Sequence, residues 1–129
     1  MPLQKVLRSK VKKFAKLLGV SDYSCGMTLF DAKKASEAYT TYGFVIIDEE
    51  SHEAVVNLNK RLIEKQPDET DSTIIHELLH IRLSELLNLV SSILNAHVKE
   101  KKVKKVYIKQ LDRLEHKIIV ALTNALVKR

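Results

Sequence analysis

The chain has 129 residues, 45% of them hydrophobic, enough for one compact domain built round one core. With Gly 3, Pro 2 and a single cysteine, Cys25, collagen-like and low-complexity architectures, an internal disulfide and a cysteine-based zinc site are excluded. The formal net charge of +6 is segregated: residues 1–20 carry six bases and no acid, residues 98–113 carry seven bases against Glu100 and Asp112, and residues 48–77 hold nine acids against Lys60, Arg61 and Lys65. Basic ends suit polyanions, and an acidic middle suits cations.

Val6, Leu7, Val11, Phe14, Leu17 and Leu18 recur at three- and four-residue spacing up to Gly19, which predicts an amphipathic N-terminal helix. Lys5, Arg8, Lys10, Lys12, Lys13 and Lys16 break this stretch, so it is neither a signal-peptide core nor a membrane span; a cytoplasmic protein with no membrane partner is expected. Tyr23 to Phe30 and Tyr39 to Ile47 are rich in aromatic and β-branched residues, and Ala54 to Leu58 follows the polar turn 48–52. Three strands are predicted, the last two as a hairpin. After Pro67, the run Asp68-Glu69-Thr70-Asp71-Ser72 supplies caps and negative charge for a helix running to about Leu94. A lysine-rich connection comes next, then a helix over 104–128 with Ile108, Leu111, Leu114, Ile118, Leu122, Ala125 and Leu126 on one face. The fold class is α+β in a single domain over 1–129: an N-terminal helix, a small antiparallel three-stranded sheet and two long helices.

The chemistry is concentrated in His76-Glu77-Leu78-Leu79-His80. On a helix, His76 and His80 lie one turn apart on one face, so both imidazoles reach a single zinc ion. Glu77 lies beside them and reaches a metal-bound water without being a ligand, as a general base must. The histidines sit among Ile74, Ile75, Leu78, Leu79 and Ile81, where unpaired imidazoles are costly and a shared metal removes that cost.

A catalytic zinc takes three protein ligands and keeps one position open. Glu115 is the candidate: at 100° per residue, Ile108, Leu111, Ile118, Leu122 and Leu126 all fall within about 60° of it, and a carboxylate at the centre of an apolar face needs a cation. His116 lies on the flank as a surface or supporting residue, His97 is a ligand only if its polar connection folds back, and His52 belongs to the exposed hairpin turn. Tyr107, His97 and His116 are equal candidates for stabilising an oxyanion.

The stretch Thr73 to Leu83, followed 35 positions after His80 by Glu115-His116-Lys117-Ile118-Ile119, resembles the zincin metallopeptidases, most closely the small stand-alone gluzincin-like proteins, often of phage or prophage origin. The resemblance covers about residues 39–126. It implies a zinc-dependent peptidase in which His76, His80 and Glu115 hold one Zn2+ per chain and Glu77 is the general base. It also implies an extended peptide substrate lying along an edge strand, a role for which Ala54 to Leu58 is in the right order. The metzincin pattern is absent, since Leu83 and Leu86 stand where it needs glycine and histidine, and Ile119 stands where larger gluzincins often carry a supporting aspartate.

Two other classes of function are compatible with the residues. One is a latent or non-catalytic zinc-binding module that binds a protein partner. The other is a nucleic-acid module using the first helix and Lys99, Lys101, Lys102, Lys104 and Lys105, although no aromatic stacking residues are interleaved with those lysines.

Overall fold

The structure is a computed structural model that describes residues 2–127. Its elements, in order, are α1 (Leu3–Leu17), β1 (Ser24–Phe30), a 3-10 turn (Glu37–Thr40), β2 (Gly43–Asp48), β3 (Glu53–Asn59), α2 (Lys60–Lys65), a second 3-10 turn (Pro67–Glu69), α3 (Thr70–His97) and α4 (Lys101–Val127). The protein is α+β, as its sequence leads one to expect. The chain divides into two compact units, the first ending at Ile81 and the second beginning at Arg82, with α3 contributing to both.

In the first unit the sheet order is β1-β3-β2. β2 and β3 form the expected antiparallel hairpin, Gly43 opposite Leu58 and Asp48 opposite Glu53. β1 pairs in parallel with β3, Ser24 opposite Glu53 and Phe30 opposite Asn59, so the sheet is mixed rather than wholly antiparallel. The cause is the connection after Phe30. Residues 31–42 carry the chain past the place beside β1 and start β2 at the far edge, and the hairpin then returns β3 into the gap. β3 takes the central place, paired with β1 on one edge and β2 on the other, and its residues Ala54, Val56, Leu58 and Asn59 are all buried. Ala54 to Leu58 is therefore not an edge strand, which corrects the expectation for the substrate-binding segment.

One face of the sheet carries the core. Leu7, Val11 and Ala15 of α1 and Ile74, Leu78 and Ile81 of α3 pack with Met27, Ala54, Val56 and Leu58. Their spacings, i, i+4, i+8 and i, i+4, i+7, place each set along one line of its helix. On β2 the outward residues Phe44 and Ile46 stay exposed while Val45 and Ile47 pack against the core.

Three local devices fix the loops round this sheet. The Asn59 side-chain amide, 1% exposed, donates to the carbonyls of Ala38, Tyr39 and Thr41 at 3.0–3.3 Å, and Arg61 stacks its guanidinium 3.6 Å from the Tyr39 ring centroid. His52 takes a left-handed φ of 54° in the hairpin turn and stacks on Tyr23 with ring centroids 4.9 Å apart. Its place is set by the turn, and it is exposed as expected. At Gly43 a Cβ would lie 2.9 Å from the Asn57 carbonyl oxygen and 3.1 Å from Thr73 Cγ2. Only glycine lets the start of β2 come this close to β3 and to the first turn of α3.

In the second unit the helices extend beyond the expected bounds. α3 continues to His97, so His97 ends a helix instead of lying in a loop. α4 begins at Lys101, and the connection shrinks to residues 98–100. The apolar face expected on α4 is also shifted. Ile108, Leu114, Ile118 and Leu122 are exposed, whereas Ile119 and Thr123 are buried and Leu111, Glu115 and Leu126 are half-buried.

Candidate metal centre

α3 starts where local chemistry favours it. Pro67 opens the preceding 3-10 turn, and the hydroxyls of Ser72 and Thr73 donate to the Glu69 carbonyl oxygen at 3.0 and 2.7 Å. Asp71 in the first turn of the helix pairs with Lys10 of α1 at 2.7 Å, which ties the beginning of α3 to α1.

From Thr70 to Ile81 the helix is covered on almost every side: Thr70, Ile74, Ile75, Glu77, Leu78, Leu79 and Ile81 are buried. His76 and His80 are half-buried and lie roughly opposite the sheet-facing line Ile74–Leu78–Ile81, while Glu77 borders that line, as 100° per residue requires. The imidazole rings of His76 and His80 lie 5.3 Å apart, centroid to centroid, with their planes at 68°. One ligand atom from each of His76, Glu77 and His80 lies within 4.8 Å of the other two. The structure thus brings together the three motif residues, and among the described residues they form the one such group.

Glu77 is 7% exposed. Burial pushes its carboxyl up from the ordinary 4.5 to about 7, because a carboxylate loses hydration there that nothing nearby replaces. This answers whether the residues fit a metal. Two imidazole nitrogens one turn apart could hold a metal ion, with the Glu77 carboxyl beside them, and a cation held there would favour the ionised form of Glu77.

The other candidates stand outside this group. Glu115 belongs to α4 in the second unit and is half-buried; His116 beside it is exposed, as is Tyr107. His97 closes α3. What sequence reasoning missed is the open edge of β2. Gly43 sets this strand against Thr73, three residues before His76, and a glycine inside the aromatic and β-branched segment 39–47 was the available signal.

Comparison with known protein families, with characterised proteins and with solved structures found no match. Among the described residues, no helix is long and apolar enough to cross a membrane.

Proposed function

We propose that this protein is a zinc-dependent peptidase in which His76 and His80 hold the metal and Glu77 is the general base. The observation that carries the reading is the burial of Glu77 beside two imidazoles, with one ligand atom from each residue within 4.8 Å of the other two. A buried carboxyl has a cost, and an ordinary surface helix has no use for one placed between two histidines. Zn2+ bound here supplies Lewis acidity, lowering the pKa of a coordinated water and polarising a carbonyl.

The work of the chain's own residues follows from their positions. His76 and His80 present imidazole nitrogens from consecutive turns, so the rigid helix fixes the angle between them. The Glu77 carboxyl takes a proton from the attacking water and passes it to the leaving amine. Burial raises the carboxyl and a bound cation would lower it again, so the two influences on the base oppose each other. The third ligand named by the sequence is Glu115 of α4, and its part in the set is left to the substitution described below.

An extended peptide would add to the open edge of β2, where backbone groups accept any sequence and side-chain pockets add selectivity. That edge runs past Gly43, against the turn of α3 just before His76.

The direct test is cleavage of an unstructured protein by the zinc-loaded chain, followed by mass spectrometry of the fragments. The account expects cleavage that stops with a chelator and returns when zinc is restored. Absence of cleavage across a diverse peptide library by protein carrying one zinc per chain would favour the non-catalytic module instead.

A further inference from the structure

We propose that the second unit is a self-association surface through which two copies of this chain close into a four-helix bundle. The observation is a double seam on each of its helices. On α3, Leu83, Leu87, Val90 and Leu94 follow one another at four- and three-residue spacing and are half-buried. A second seam at the same spacing, Leu86, Leu89 and Ile93, is 57%, 58% and 51% exposed. α4 repeats the arrangement. Leu111, Glu115, Ile119 and Leu126 are buried or half-buried, although Ile108 and Leu122 on the same arc are 39% and 44% exposed, while on the neighbouring arc Tyr107, Leu114 and Ile118 are 47%, 54% and 45% exposed and, with Ala125, keep the 3.5-residue period of a coiled-coil seam.

A helix with one apolar seam needs one neighbour, and a helix with two needs two. Two helices joined by a connection as short as 98–100 can offer each other one neighbour, as in a helical hairpin. A second, identical pair supplies the other in a twofold-symmetric, closed arrangement in which the same surface serves both partners. Among the described residues, eleven of the fourteen exposed large hydrophobic residues belong to this unit, so the surplus is local and not a general property of the surface.

Size and charge both favour a copy of the same chain. The six open seam residues leave roughly 500 Å2 of apolar surface per copy, taking about 80 Å2 for each. That is near the upper range for a monomer's largest patch, and with the flanking polar atoms it approaches the roughly 800 Å2 per partner of a stable interface. At a net charge of +6 two copies repel at most places. Residues 86–98, however, contain no Asp, Glu, Lys or Arg, so these stretches of α3 meet without like-charge conflict, and depletion of charge is what the core of an interface shows. A polyanionic partner would choose the lysines of α4 instead.

The test is the mass of the full chain by sedimentation equilibrium from about 1 to 100 μM, a range that covers typical weak to stable homodimers. A dimer is expected. Leu89→Glu and Ile118→Glu should each weaken it by roughly a hundredfold, while Leu17→Glu on α1 leaves it intact. If either Glu variant loses helix content by circular dichroism, the paired change Leu89→Gln and Ile118→Gln, which keeps a helix-forming side chain, takes its place. A wild-type monomer at 100 μM, a mass that climbs beyond the dimer, or folded seam variants that dimerise like wild type would each overturn the proposal.

Discussion

His76 and His80 stand one turn apart on α3, rings 5.3 Å apart and planes at 68°, with the buried Glu77 carboxyl beside them. Two donors set by a single helix leave metal binding sensitive to either one. Substituting His76 or His80 by Ala should therefore reduce zinc affinity by at least a hundredfold, the general weight of losing one ligand from a small set. Competition titration against a chromophoric chelator measures it; a variant that binds as tightly as wild type would remove that histidine from the site.

Glu115→Ala tests the third ligand. If its carboxylate completes the set, zinc affinity falls by roughly ten- to a hundredfold while the variant stays folded, and the exposed neighbour changed in His116→Ala has little effect. Unchanged affinity in Glu115→Ala would take Glu115 out of the ligand set.

Glu77 makes the stability of the metal-free protein depend on pH. Its folded pKa of about 7 lies above the ordinary 4.5, so the folded state holds a proton that the unfolded chain has released between these values. Stability should accordingly fall as pH rises from about 4.5 to about 7, by up to about 3 kcal/mol at 1.36 kcal/mol per pKa unit. Denaturant titrations of wild type and Glu77→Gln should diverge over this window, the Gln variant showing the flatter profile. Bound zinc should shrink the difference, since a nearby cation favours the carboxylate.

Gly43→Ala should lower stability by about 1–3 kcal/mol, the usual range for forcing a methyl into a closed space. Its Cβ would meet backbone at 2.9 Å, where Asn57 belongs to the central strand and cannot swing aside. A melting temperature equal to that of wild type would mean that β2 tolerates a shift away from Thr73.

The parts of this protein that were legible in its sequence are those set by local geometry. The spacing of His76 and His80 survives any tertiary arrangement provided the segment is helical, and the hairpin of β2 and β3 is set by a short polar turn. The parallel pairing of β1 was not legible, because it depends on which edge the chain reaches after residues 31–42. α2 was not legible because six residues with only Leu62 and Ile63 buried are too few to show a period. The first turn of α4, residues 101–103, lies outside the expected helix because Lys101 and Lys102 look like part of a solvated connection, although lysine is itself a good helix former. Its apolar face differs from the expected one for another reason: Ile108, Leu114, Ile118 and Leu122 are apolar and yet exposed, and periodicity does not distinguish a seam facing the core from one facing outward.

The central claim is that Glu77 moves a proton at a metal site, and Glu77→Gln isolates that function because it preserves size and polarity while removing the base. The decisive measurement is the rate at which wild type and Glu77→Gln, both carrying one zinc per chain, cut the same unstructured protein. The account predicts that wild type cleaves in a chelator-sensitive way and that Glu77→Gln retains its zinc but loses all but a small fraction of the rate, on the order of a hundredfold or more for a general base. Equal rates from the two proteins would contradict it.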